Sequence, residues 1–305
     1  MYNSEAVGLG NIRARVVADT IFDMTRIITM ELRYPRFIHA EFMTHRMFSR
    51  NASSSRAIPI DKMNESILEY PAHPVYWGAN QAGMQARTEI SPADLPVAEA
   101  IWQQACEDAI HHAEELESVG MHKQIVNRLA EPFQFITVVV TATEWDNFFN
   151  LRLHPDAQPE IRDLAETMRV AQEGSEPRHI EMNHWHLPYT TSIEWSKYSL
   201  DEVRKASVAR CARVSYRNHD QTDPDMEKDK ALHDMLLESG HMSPFEHQAT
   251  PMEFDPVKIA EGEQGYGFWM QEGVTHFDRK GQAWSGNFKD WIQYRNTLEV
   301  PSEGS

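Results

Sequence analysis

The sequence predicts an α/β (α+β) fold in which a sheet is flanked by helices. Strand-like and helix-like stretches alternate along it: β-rich runs at 26–33 and 135–140 are interleaved with helix-period segments at 96–118, 159–172 and 199–211. There is no internal repeat. Hydrophobic residues make up 41% of the 305 positions, enough for a sizeable core. That length corresponds to one or two domains, and the chain reads as a single domain, 1–305.

Taken in order, 26–33 is the first strand. Residues 35–46 are expected to form a helix that starts at Pro35, whose fixed φ suits a first helical position, and that delivers the basic segment after it. Residues 60–92 hold Pro71, Pro74, Gly78, Gly83 and Pro92 with weak periodicity and read as an irregular lid or insertion. Pro96 to Ser118 carries Val97, Ile101, Ala105 and Ile110 at helical spacing and stops at Gly120, a suitable C-terminal cap. Phe135 to Val140 is a β-branched run, read as a strand, and Thr141 is expected to open a helix holding Trp145, Phe148 and Phe149 against the core. Asn147 and Arg152 lie five apart in that helix, on adjacent faces. Residues 159–172 continue as helix with Ile161, Leu164 and Met168 as the buried stripe. Gly174 to Tyr198 shows no period. Ser199-Leu-Asp-Glu202 is a capping box for a helix running to Cys211. Thr222-Asp-Pro-Asp starts another, with Leu232, Met235 and Leu236 inward and Gly240 closing it. The tail from Gly262 holds Trp269, Trp284 and Trp291, a density of aromatics that reads as packing or an interface.

Composition excludes several classes of function. No run of eighteen apolar residues occurs, and Met1-Tyr-Asn-Ser-Glu lacks a basic region followed by an apolar stretch, so a cytoplasmic protein with no membrane partner is expected. Cys106 and Cys211 are too few for a disulfide framework and form no metal-ligand pair. His179, His184 and His186 cluster in an irregular segment without a matching carboxylate or cysteine pattern, and no metal is expected. A formal charge of −17 argues against a nucleic-acid polymer, whose binding draws on lysines and arginines that neutralise phosphates. A small anionic ligand stays compatible, because what matters for one nucleotide is the local field.

That field has an obvious source. Residues 44–59 concentrate His45, Arg46, Arg50, Arg56 and four serines, and forked guanidinium donors with hydroxyls and backbone N–H groups suit a phosphate. The segment resembles the signature of the flavin-dependent thymidylate synthases: Arg-His-Arg, then Ser after seven residues, then Arg two further on. His45 and Arg46 match, Ser54 falls after seven intervening residues, and Arg56 closes the pattern. Thr44 replaces the first arginine, Asn51 matches the usual Asn, and Ala52 stands where a Glu is expected.

Further stretches extend the resemblance. Arg26 to Pro35 and Phe37 to Met43 look like the strand and helix that deliver the motif, while Gly120 to Pro132 with Arg128, Thr141 to Arg152 and Ala157 to Ile161 resemble the end of the usual family chain. Ala212-Arg-Val-Ser-Tyr216 and Gly240-His-Met-Ser-Pro-Phe-Glu-His247 resemble the family's opening segment, yet sit in the last third. The order is rotated, as in a circular permutation, which keeps packed contacts and is tolerated where cut sites lie at the surface. Segments 20–172 and 201–250 are therefore family-like, 173–200 is the permutation linker, and 251–305 is an unaligned aromatic-rich tail.

The resemblance implies a site and a reaction. Ser54, Arg56, Arg128 and Arg152 would hold the nucleotide, with Arg128 and Arg152 also stabilising charge that develops on the ring. His45, Arg46, Asn51, Asn147 and His247 would hold the flavin. The implied reaction is reductive transfer of a one-carbon unit from methylenetetrahydrofolate to C5 of dUMP, with FAD as cofactor, NADPH as reductant and dTMP as product. A homo-oligomer, a tetramer by family resemblance, is implied because such sites are shared between subunits. C5 methylation can also run through a cysteine that attacks C6, and Cys211, beside Arg210, is the cysteine to test for that role. Ala52 leaves the missing carboxylate to Glu41, Glu144 or Glu246. It also leaves open a hydroxymethyl product, a deoxycytidylate substrate, or a relative that binds nucleotide or flavin without catalysis.

Overall fold

The computed structural model describes residues 4–215, 217–218, 222–253 and 271–298; Tyr216 and Trp269 of the sequence reading lie outside them. In chain order the elements are β1 (Glu5–Val7), β2 (Arg13–Phe22), β3 (Thr25–Pro35), α1 (His39–Phe42), β4 (Ser49–Ala52), α2 (Ile60–Glu69), α3 (Leu95–Ser118), α4 (Lys123–Val126), β5 (Phe135–Ala142), α5 (Asp146–Arg152) and α6 (Pro159–Glu173). They continue with β6 (Arg178–His179), α7 (Ser192–Lys197), α8 (Leu200–Arg213), α9 (Met226–Glu238), β7 (Ala249–Pro251), β8 (His276–Phe277), β9 (Ala283–Ser285), β10 (Phe288–Lys289) and β11 (Trp291–Gln293).

The main sheet has the order β1-β2-β3-β5-β4, antiparallel throughout, with β6 added parallel to the far end of β2. β2 and β3 form a hairpin across Asp23 and Met24, and Asp23 takes φ 50°, a conformation its short polar side chain tolerates. The period of two then assigns the faces. Ile28, Met30 and Leu32 of β3 pair with Ala142, Val140 and Val138 of β5, and all six point into one core with Ile161, Leu164, Ala165 and Met168 of α6. Val139 points the other way and meets Tyr189, Cys211 and Val214, so α8 covers the opposite face. The fold is thus a mixed α+β sheet with helices on both sides, as the sequence predicts.

Several elements depart from the sequence reading. The helix expected over 35–46 shrinks to a 3-10 turn, Arg36–Ile38, and one turn of α1. Beyond it the chain reverses through hydrogen bonds from His45 N to Phe42 O and Phe48 N to His45 O, which let Phe42, Phe48 and Phe148 pack together. The basic segment is not one loop, because its centre becomes β4, paired with β5 from Ser49 to Ala52. The helix expected from Thr141 starts at Asp146; Thr141 stays in β5, opposite Thr29. Residues 60–92 contain the regular helix α2, and the linker 173–200 contains β6 and α7, the latter opened by a Thr191–Glu194 capping box. In α9, Met235 is exposed, while buried Asp229 and His233 take inward positions; Asp229 holds Arg210 at 2.9 Å and Arg213 at 2.6 Å. Val97 and Ile101 are exposed on α3, whose inward residues include Cys106, Ile110 and Ala113.

The tail folds as small antiparallel units. β11 pairs with β7, and β8, β9 and β10 form a meander. Trp291 is fully buried against Ile27, Ala249 and Phe288, which fastens the tail to the main sheet. Among the described residues no helix is long and apolar enough to cross a membrane.

Candidate functional site

The short helix α5 follows β5 after a turn and carries Asn147 in its first turn and Arg152 in its last. Across from it the reversed chain 44–48 presents His45 and Arg46. Together they line a cleft of about 620 Å³, whose other wall comes from the tail: Asp278, Lys280, Gln282, Trp284 and Lys289. The volume suits a nucleotide-sized ligand.

Arg152 is fixed by its own chain. Its Nε donates to His45 Nε2 at 2.7 Å, one terminal nitrogen pairs with Glu41, and the other donates to Thr44 Oγ1 at 3.3 Å. His45 is buried edge-on against Phe148, ring centroids 4.9 Å apart. Burial, then Arg152 and Arg50, push its pKa down to about 4. The ring is therefore neutral near pH 7 and accepts from the guanidinium through Nε2. Thr44 stands where the resembled motif has arginine, and here a second guanidinium would lie beside Arg152. Its hydroxyl instead accepts from Arg152 and donates to Glu41 O at 2.7 Å.

Arg46 is exposed in the cleft and, among the described residues, its side chain has no hydrogen bond or ion pair. Lys289 lies 3.5 Å from Glu144. Asp278 accepts from the backbone N–H groups of Lys280 and Gln282 at 2.7 and 3.0 Å, and the Gln282 bond leads the causes that hold its carboxyl below the usual range. The cleft is a locally cationic place in an acidic protein.

The remaining expected residues lie elsewhere. Ser54, Arg56 and Arg128 sit at the other end of β4, about 10 Å of strand away from the His45 turn. There Asn127 donates to the carbonyls of Ser55 (2.8 Å) and Ile58 (3.1 Å), which shapes the loop, and Arg128 pairs with Glu131 at 3.3 Å, its side chain 55% exposed. Arg56 is exposed and makes no ion pair among the described residues. Asn51 lies between the two groups, outside the cleft. It donates to the carbonyls of Cys211 and Ala212 at 2.8 and 3.2 Å and accepts from Ser243 at 3.1 Å, bracing β4 against the end of α8.

His247 is fully buried and lies away from the cleft. Its Nδ1 sits 2.8 Å from Thr141 Oγ1, at the end of a chain that continues through Thr29 and His186 to Thr20 with 2.7–2.8 Å links. Both ring nitrogens of His186 are thereby occupied, and among the described residues no group of three or more His, Cys, Asp or Glu is placed to hold a metal.

Both thiols are buried. Burial pushes Cys106 up to about 11 and Cys211 higher still, so neither has the exposed, low-pKa character of a nucleophile. The position beside Arg210 does not rescue Cys211, because Arg210 is spent on Glu194 and Asp229. Of the three carboxylates proposed to replace the one missing at Ala52, Glu41 holds Arg152, Glu144 lines the cleft, and Glu246 pairs with Arg295. Ala52 itself packs against the main core. Trp284, Lys280 and Lys289 are cleft residues that the sequence reading did not single out as ligands; the only trace was the aromatic density of the tail.

A sequence profile described as thymidylate synthase complementing protein matches residues 14–175, more than half of the chain. No curated protein matches. Among solved structures, a UMP/dUMP methylase, PolB, from Streptomyces cacaoi bound with 5-Br UMP is similar over 53% of this chain and 92% of that one, at 16% identity and a TM-score of 0.42, a partial and distant likeness. On the family match and the arginine motif it contains, the chain belongs to the thymidylate synthase complementing protein (ThyX) family.

Proposed function

We propose that the protein transfers a one-carbon unit from methylenetetrahydrofolate to C5 of dUMP, giving dTMP, with FAD as redox cofactor and NADPH as reductant. The observation that supports this reading most is the cleft itself: motif residues His45 and Arg46 face Asn147 and Arg152 in a chain whose two thiols are buried. Without an accessible thiol, the route through enzyme attack at C6 loses its nucleophile. FAD, when bound and reduced by NADPH, would supply the hydride and electrons that take the transferred methylene unit to a methyl group, with no enzyme thiol required.

The residues fit that ligand set. Arg46 offers a guanidinium that has no side-chain partner among the described residues and suits a phosphate or diphosphate, and Asn147 adds an amide from the facing helix α5. Arg152, held by Glu41, His45 and Thr44, is a preorganised cation that stabilises negative charge as C5 becomes nucleophilic. Ser54, Arg56 and Arg128 present a second anion-binding group outside this cleft, which we assign to completing the site of another copy in a homo-oligomer, with Arg128 sharing the charge-stabilising role there. His247 and Asn51 support the site from behind through β5 and β4. The chain acts as one domain of rotated order: α8 and the turn at Ser243–Glu246 pack on β4, so the family-like opening segment lies against the motif it would accompany in an unrotated chain.

The test is an incubation of purified protein with FAD, NADPH, methylenetetrahydrofolate and dUMP tritiated at C5, with mass analysis of the nucleotide product. Tritium release with a methylated product is expected. Release with a hydroxymethylated product selects the alternative reaction to which the apolar Ala52 points, and bound flavin with no release selects a non-catalytic relative.

A further inference from the structure

The tail segment 271–298 lies outside the family match at 14–175, yet it builds one wall of the cleft. Specific bonds hold that wall in place. Asn287 donates to Met47 O at 3.0 Å and accepts from Ser49 Oγ at 3.1 Å, Gln293 donates to Ser49 Oγ and to Glu246 O at 3.1 Å each, and the Lys289 N–H donates to Thr143 Oγ1 at 3.0 Å. Met47 and Ser49 flank the motif side of the cleft and Thr143 precedes α5, so the tail is tied to both banks.

The wall also carries chemistry. Asp278 and the left-handed Gly281 (φ 77°) close the β8–β9 turn and place Lys280 at its tip, exposed and lining the cleft. The Trp284 indole backs onto the His276 ring, centroids 6.0 Å apart and planes 15° apart, and lines the same cleft. The two cleft carboxylates are already engaged, Asp278 by backbone amides and Glu144 by Lys289. Arg46 and Lys280, from opposite walls, make no side-chain hydrogen bond or close ion pair among the described residues, although the Lys280 charge is near enough to Asp278 to help hold its carboxyl down. Two such cations and an indole in one cleft of a chain of charge −17 suit a planar heteroaromatic ring that carries phosphate.

We infer that Lys280 and Trp284 of the tail are ligand-binding residues of this site, Lys280 acting with Arg46 on the phosphate or diphosphate and Trp284 contacting the ring. This rests on the functional reading above. The phosphate belongs either to the flavin diphosphate or to the nucleotide, and separate titrations distinguish the two.

The experiment measures FAD binding by flavin absorption and dUMP binding by calorimetry, for the wild-type protein, Lys280→Ala, Lys280→Glu, Trp284→Leu, Trp284→Phe and Arg46→Ala. Lys280→Ala is expected to raise Kd about tenfold and Lys280→Glu by more, with the salt dependence of binding reduced, as for loss of a single phosphate contact. Trp284→Leu is expected to weaken binding about tenfold and Trp284→Phe to restore most of it. Loss confined to FAD assigns the diphosphate, and loss confined to dUMP assigns the nucleotide phosphate. Wild-type affinity in both Lys280 variants, with binding lost in Arg46→Ala, overturns the inference and leaves the functional reading standing. A wild-type protein that binds neither ligand overturns both. Because Lys280 is exposed, its two variants decide the matter even if Trp284→Leu fails to fold.

Discussion

At the scale of single residues, Arg152 shows how a charge is aimed. A guanidinium left free samples many rotamers, whereas this one is held by a carboxylate, a neutral imidazole and a hydroxyl at once. Glu41 is the strongest of the three partners, because both members of that pair are charged. Arg152→Lys keeps the charge but loses the fork, so kcat/KM for dUMP is expected to fall about 10²–10³-fold, the cost of misplacing one donor to a developing charge. Thr44→Ala removes the long 3.3 Å contact to Arg152 together with the hydroxyl's bond to Glu41 O, leaves the Glu41 and His45 clamps on Arg152 in place, and is expected to cost less than about fivefold. Steady-state kinetics on the two variants checks the ranking; equal losses would mean that the fork does not position Arg152. Arg152 was legible through the resemblance of Thr141 to Arg152 to the end of the usual family chain. Its three clamps were not, because Glu41, Thr44 and His45 reach it only once the chain reverses after α1.

At the scale of elements, the strand β4 separates two groups of basic residues that look continuous in sequence. The loop after it, Ser54 to Pro59, has no regular structure and depends on Asn127, whose amide satisfies the carbonyls of Ser55 and Ile58, while Lys123 donates to Ala57 O at 3.1 Å. Asn127→Ala leaves the Ser55 and Ile58 carbonyls without that donor and is expected to cost about 1–3 kcal/mol of stability. If Ser54 and Arg56 bind dUMP, KM should rise with kcat little changed, a split that simple loss of folded protein would not produce. Strands β3 and β5 and helices α3, α6 and α8 were legible because hydrophobic period, capping box and terminal glycine agree locally. β4 was hidden because Ser49, Arg50 and Asn51 have little strand propensity, and pairing with Val138–Thr141 overrides it. The helix at 35–46 failed for the converse reason: aromatic packing of Phe42 and Phe48 on Phe148 competes with helical hydrogen bonds.

At the scale of the whole molecule, the face of the sheet opposite α6 is crossed by a buried polar chain, Thr20–His186–Thr29–Thr141–His247, that links β2, β3 and β5 to the loop preceding β7. The neutral His186 ring can donate through one nitrogen and accept through the other, which Thr20 and Thr29 match, whereas His247 meets Thr141 through Nδ1 and its buried Nε2 has no hydrogen-bond partner among the described residues. Burial pushes both histidines down to about 3, with Arg178 and then His247 adding to the effect on His186. An unfolded histidine titrates near 6.5, so below that pH the unfolded chain takes up protons that the folded chain refuses. Their contribution is complete above about pH 6.5 and is lost as pH falls toward 3, at about 1.4 kcal/mol per pH unit for each ring. Asp163, pushed up by burial, works in the opposite direction, while burial also pushes His45 down to about 4 and lowers His39 and His233, which adds to the loss in acid. Urea unfolding at pH 7, 6 and 5 should therefore show the midpoint falling with acid. His247→Gln should be less stable at pH 7, yet lose about 1.4 kcal/mol per pH unit less between pH 6 and 5. A variant that keeps the full wild-type slope would show that His247 takes up protons in the folded protein as readily as in the unfolded chain.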